Sequence, residues 1–218
     1  MTHSSSDLKH FALQIQQVRF SNLKEPCLWV AIMATQSTES SFLVGLVGTE
    51  IVTEVKPELQ LPTKTWVTSE RIEELSLVVT QQAIDLGYKP GFAAAKFFCY
   101  SKDNPSQETA FMRVYRQIPL SGTEWTPSCT RAAQALPQAK IRELIAYKTL
   151  QSQACPVVPQ LLGYQEELQG DDGLVPGGSS ITIVWQKVPG FSLSREYFWN
   201  LDFDHREAIR EEFRHAYD

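Results

Sequence analysis

The residues able to do chemistry are spread along the chain rather than gathered into one motif. His3, His10, His205 and His215 lie far from Cys27, Cys99, Cys129 and Cys155, and no Cys-x-x-Cys occurs, so the ligand spacing of a zinc site is missing. Such spacing predicts four reduced thiols, mostly buried. Glu166-Glu167 and Asp171-Asp172 are adjacent carboxylates in stretches that read as solvated loops, not an acid–base pair. G-x-S-x-G, H-E-x-x-H and P-loop patterns are absent. Two placements stand out. Over 110–118 the alternation puts Phe111, Arg113, Tyr115 and Gln117 on one face and Met112, Val114, Arg116 and Ile118 on the other. In a predicted helix over 138–151, Glu143 lies beside Tyr147 at the border of the apolar stripe Ile141, Leu144 and Ile145, where a carboxylate can reach toward a neighbouring strand.

The elements that must position these groups follow from periodicity and punctuation. Residues 8–20 carry Leu8, Phe11, Ile15 and Val18 at helical intervals. Residues 28–34 and 42–55 are rich in Val, Ile, Leu and Trp and read as strands. Ser69 as N-cap, the stripe Ile72, Leu75, Val79 and Ile84, and Gly87 as a stop predict a helix over 69–87. Strands over 93–100 and 110–118 flank Ser101-Lys102-Asp103-Asn104-Pro105-Ser106, which is turn chemistry. A short helix over 127–136 precedes the one that begins after Pro137. Strands over 157–164 and 181–188 enclose a Gly/Asp/Pro loop. Helices over 191–201 and 205–217 follow, the last with Asp204 and Glu207 as a capping-box pair.

The composition is that of a folded protein: 218 residues, 43% hydrophobic and 21% charged, enough for one domain or a domain with a small extension. A net charge of -5 argues against a nucleic-acid partner, which needs a dense cationic face. No apolar run reaches the roughly 20 residues of a membrane helix, and residues 1–9 lack the order of a signal peptide. The expectation is a cytoplasmic protein with no membrane partner.

The order of strand 110–118, helix 138–151, strands 157–164 and 181–188, a Pro-Gly turn and a helix resembles the small lobe and hinge of the protein-kinase-like superfamily, which includes aminoglycoside phosphotransferases. More narrowly, Phe111-Met112-Arg113-Val114-Tyr115-Arg116-Gln117-Ile118-Pro119, Glu143-Leu144-Ile145-Ala146-Tyr147-Lys148-Thr149-Leu150, Val158-Pro159-Gln160-Leu161-Leu162-Gly163-Tyr164 and Val184-Trp185-Gln186-Lys187-Val188-Pro189-Gly190-Phe191 look like segments of fungal kinase-like proteins. The resemblance covers residues 88–218. It implies an α+β fold: a kinase-like small lobe, made of an antiparallel sheet plus one long helix, with a few C-terminal helices and an extra N-terminal α+β segment. The implied division is 1–87 as extension, 88–190 as small lobe and hinge, and 191–218 as the start of a helical large lobe.

In that superfamily a strand lysine held by a helix carboxylate fixes the nucleotide phosphates. The matching positions are Arg113, with Arg116 as second candidate, and Glu143; an arginine would bind its carboxylate bidentately. Trp185, Gln186 and Lys187 would form the hinge whose backbone meets adenine, so the resemblance implies ATP as ligand at Arg113, Glu143, Trp185, Gln186 and Lys187. The match has gaps. The glycines of 42–48 are not a G-x-G-x-x-G, and those of 170–178 lie between the last two strands. The catalytic Asp…Asn and the Mg²⁺-binding Asp would follow the helix that ends at Asp218, and Asp202-Phe203-Asp204 lacks the glycine of a D-F-G. The expectation is therefore a truncated or degenerate kinase-like protein with no catalytic residue or metal ligand, binding nucleotide or acting as a scaffold. Two alternatives stay open. One is an interaction module without nucleotide, dimerising or meeting a protein partner through Phe198, Trp199, Ile209 and Phe213 of the C-terminal helices. The other is the N-terminal part of an active phosphotransferase.

Overall fold

A computed structural model describes residues 41–215 apart from 107, 137, 138, 191 and 192. The helix expected over 8–20, the strand over 28–34, and His3, His10, Cys27 and Phe191 fall outside the described residues. Six strands dominate: β1 (Glu50–Thr53), β2 (Lys64–Leu77), β3 (Phe92–Ser101), β4 (Thr109–Gln117), β5 (Leu161–Leu168) and β6 (Ser179–Gln186). They form one sheet in the order β1-β2-β3-β4-β6-β5, with every neighbouring pair antiparallel. The sheet runs across the 87/88 boundary, because β2 pairs with β3 along most of its length. The helices are short: α1 (Gln81–Asp85), α2 (Ser128–Ala132), α3 (Arg142–Ser152), α4 (Arg195–Asn200) and α5 (Phe203–His215). None of them is long and apolar enough to cross a membrane.

The sheet curls until its edge strands nearly meet. The Glu54 amide donates to Gln165 Oε1 at 3.2 Å across the gap between the β1 and β5 edges. At Gly163 of β5 an added Cβ would lie 2.6 Å from Thr53 Oγ1, so the close approach of the edges requires a residue without a side chain there. Thr53 is fully buried and accepts from Trp66 Nε1 at 3.2 Å. Side chains, not a backbone ladder, therefore fasten the seam.

This corrects the expected fold. A nearly closed six-stranded antiparallel barrel-like sheet with few helices replaces the kinase-like small lobe built on a sheet and one long helix. The helix that was to be long has only 11 residues, and Ile141 at its N-cap makes no side-chain capping bond. The helix expected over 69–87 is instead the second half of the 14-residue β2, followed by the single turn of α1. Irregularities in the β2–β3 register between Thr68 and Arg71 and between Arg71 and Glu73 explain the error. Each bulge shifts the two-residue alternation by one, so the apolar positions imitate a helical stripe.

Alternation elsewhere divides the core in two. On one face of the curled sheet pack Trp66, Phe97, Met112, Val114 and Val184, with Leu43 and Leu46 from the segment before β1. On the other, Phe111, Ile181, Ile183 and Trp185 meet Leu144 and Tyr147 of α3, together with Leu59 and Leu61. Fully burying an apolar side chain of this size is worth about 1.5–3 kcal/mol, so the second cluster is what fixes α3 against the sheet.

Candidate functional site

The face covered by α3 is also where charge collects. Arg113 sits in the middle of β4, opposite Lys96 of β3 on one side and Ile183 of β6 on the other. Its Nη1 donates to both Glu143 oxygens, at 3.0 and 3.1 Å, and its Nη2 to Glu73 Oε1 of β2 at 2.8 Å. The Tyr115 hydroxyl donates to Glu143 Oε2. Arg113 and Glu143 side chains are 24% and 18% exposed, so this is a largely sheltered pair that the helix and strand bring together. Burial disfavours the guanidinium charge, but Glu143, Tyr115 and Glu73 outweigh it and push the Arg113 pKa up. Burial, reinforced by the Glu143 charge, raises the Tyr115 phenol above its ordinary value.

Beside this network lies a row of rings and cations. Phe98 and Phe111 stack at 5.3 Å, Phe111 is 5.9 Å from Trp185, and Tyr147 of α3 stacks on Trp185 at 5.7 Å. The Lys96 nitrogen lies 4.2 Å from the Phe111 centroid and 5.8 Å from that of Trp185. Lys187, just past β6, lies over Phe98 at 4.7 Å. Lys96 is only 7% exposed. Burial and the neighbouring Arg113 charge lower its pKa, with Glu73 and Glu143 opposing. Arg113 has two carboxylate partners; Lys96 has no salt bridge or side-chain hydrogen bond among the described residues, only rings and charges. The buried Trp185 Nε1 also lacks a hydrogen-bond partner there.

The remaining expected site residues are placed as follows. Trp185 is fully buried, and its backbone stands in register with Phe111 on one side and Leu161 on the other. Gln186 is exposed, its amide donating to Gln160 O at 2.9 Å. Of the helical positions, Trp199 is 55% exposed, whereas Ile209 is 4% exposed and so is a packing residue of α5. Phe198 and Phe213 are half-buried; Phe198 meets Trp199 edge-on at 5.3 Å. Arg116, the second arginine, is half-buried with an unpartnered Nε, and burial lowers its pKa. Glu166 pairs with Lys148 at 2.8 Å, so one of the adjacent carboxylates is tied to α3. No group of three or more metal-ligating side chains occurs among the described residues.

Sequence reasoning missed Lys96 and Glu73. The signal for Lys96 was present: Ala94, Lys96 and Phe98 alternate with the core residues Ala95 and Phe97 in a strand expected just before the turn that leads to 110–118. Glu73 was hidden because its segment was read as helix. In comparisons with known proteins, no family model, curated protein or solved structure matches the chain. The chemistry of the site rests on its own geometry.

Proposed function

We propose that the chain is a binding module for a planar, phosphate-bearing ligand of the nucleotide class, held at the Lys96–Arg113 face. The observation that carries this reading is that Lys96 and Arg113 stand directly opposite each other on adjacent strands, beside the Phe98–Phe111–Trp185 rings. Two carboxylates hold the guanidinium in one orientation, which removes the rotamer cost of binding. Lys96 and Lys187 supply positive charge that no carboxylate neutralises by a salt bridge among the described residues. Phe111 and Trp185 are buried, so the half-buried Phe98, with Lys187 over it, is the ring of the row open to a base, and the cations attract a phosphate.

Thermal unfolding with ATP, with ATP and Mg²⁺, and with inorganic phosphate tests this. Ligand at a hundred times its Kd stabilises by about 2.7 kcal/mol. The wild type should gain melting temperature with ATP, and Lys96→Met should lose that gain. No shift in the wild type removes the reading.

A second reading has its own observation. At the α4–α5 junction Trp199 and Phe203 are 55% and 64% exposed, with Arg206 over the Trp199 ring at 5.4 Å. Aromatic side chains beside an arginine are common anchors of protein contacts, and this reading makes the two helices the seat of a homodimer or partner contact. Light scattering that shows a monomer at high concentration counts against the homodimer.

A further inference from the structure

The second half of β2 is a sheet edge without a partner strand among the described residues. β1 pairs only with Lys64–Val67, and the backbone of Gly48 and Thr49 bonds Thr68. Beyond Thr68, β2 has β3 on one side alone, and no other backbone hydrogen bond reaches residues 69–77 among the described residues. In a strand paired on one side, alternate residues turn their N–H and C=O groups away from the partner. Such an open row is a template for another strand. Ile72, Leu75 and Leu77 are exposed along it.

The described chain begins at this edge. The amides of Phe42 and Leu43 donate to Glu74 Oε1 at 2.6 and 3.2 Å, and Ser41 Oγ donates to Glu74 Oε2 at 2.7 Å. Glu74 stands opposite Ala95, and Leu43 and Leu46 pack with Ala95 in the first core cluster. This segment therefore passes under one face of β2 and leaves the edge itself unpaired.

We propose that the occupant of this edge is the chain's own residues 28–34, added to β2 over 70–77 as a further strand. These seven residues, Leu28-Trp29-Val30-Ala31-Ile32-Met33-Ala34, lie outside the described residues and carry no charge. An apolar run bounded by Pro26 on one side and Thr35-Gln36-Ser37 on the other fits a strand covered on both faces. The six residues 35–40 reach up to about 20 Å, against about 26 Å for the eight-residue edge, so the tether allows the pairing. It also holds the segment near β2 at an effective concentration of about millimolar or more. A second copy of β2 fits the edge less well. The edge carries Glu70, Glu73 and Glu74 with Arg71 alone to balance them, so self-pairing brings glutamates of two chains together. The added strand closes an edge that is otherwise open to association between chains.

Backbone NMR of the full chain tests this. Cross-strand proton contacts should link residues 28–34 to 70–77. The amides of 70–77 that turn away from β3 should resist hydrogen exchange as well as those that face it. Successive N–H groups of a strand point to opposite sides, so one of Ala31→Pro and Ile32→Pro removes a donor to β2. In that variant the outward amides of 70–77 should exchange about tenfold faster, the effect of losing one net hydrogen bond, while β4 and β6 keep their rates. Absence of cross-strand contacts in the wild type, with outward amides exchanging as in an open chain, overturns the inference whether or not the variants fold. Contacts from another copy's β2 that grow with protein concentration place a second chain on the edge and overturn it as well. Unchanged exchange at 70–77 in both folded variants does the same.

Discussion

Lys96 and Arg113 face each other across the β3–β4 ladder, two cations at directly opposed positions of adjacent strands. Like charges so placed destabilise a sheet. Here the fold answers by surrounding one of them: Glu143 and Glu73 approach Arg113 from α3 and β2, and Lys96 is left on the rings.

Removing the held cation should therefore cost more than removing its outer partner. Arg113→Met leaves Glu143 sheltered with Tyr115 as its one side-chain donor among the described residues, and a hydrogen bond to a charged group contributes about 1.5–3 kcal/mol. Urea unfolding should show a loss of about that size. Glu73 is 59% exposed, so Glu73→Gln should change stability by at most about 1 kcal/mol. The double variant Arg113→Met/Glu143→Leu should recover part of the loss. Equal effects of the two single variants would contradict the asymmetry.

Stability depends on pH through groups whose proton affinity changes on folding. Lys96 is lowered from 10.5 on folding, so between its folded value and 10.5 the unfolded chain binds more protons. Stability must then rise with pH through that window. Tyr115 is raised above 10.0, so beyond that pH the unfolded chain loses its proton first and stability falls. Burial raises Cys99 from 9.0 to about 12 and adds a second falling contribution above pH 9, so the rise and the falls are read as differences between each variant and the wild type in denaturation midpoints across the alkaline range. Lys96→Met should remove the rise, and Tyr115→Phe should weaken the fall.

The seam gives a packing prediction. In Gly163→Ala the new methyl collides with Thr53 Oγ1, which is buried and bonded to Trp66 Nε1. Overpacking of this kind costs about 1–3 kcal/mol. Thr53→Ala should itself destabilise, but in combination with Gly163→Ala the two losses should be less than additive. Strict additivity would mean that the β1 and β5 edges do not meet at these residues.

Much of this was legible from residue order, and the failures have physical causes. The β3–β4 hairpin follows from two strand-like runs around Asp103-Asn104-Pro105; the pairing of Arg113 with Glu143 was implied by the kinase-like resemblance, the helix border showing only that Glu143 could reach a strand. The length of β2 was not legible, because two bulges within a few residues erase the alternation that marks a strand. The closure of the sheet was not legible either, since it depends on contacts between residues as distant as Glu54 and Gln165. At α5 the capping side chain is Asp202, which accepts from the His205 amide at 2.9 Å, rather than Asp204. Both are acidic residues followed by a helical pattern, so spacing alone does not separate them.

Cysteine reactivity provides an independent check of the two-faced sheet. Burial in the first core cluster pushes the Cys99 thiol up to about 12, whereas Cys129 is exposed. Only thiolate reacts with a disulfide reagent. Cys129 should be modified at once under native conditions and Cys99 only at the rate of unfolding. Rapid modification of Cys99 would mean that this face of β3 is open.

The most direct test of the binding face is an amide and side-chain NMR titration with ATP. The expected result is saturable shifts centred on Lys96, Phe98, Phe111 and the Arg113 side chain, with the buried Trp185 indole N–H as a reporter, and their loss in Lys96→Met. Shifts scattered over exposed lysines such as Lys102, or no shifts at all, would contradict it.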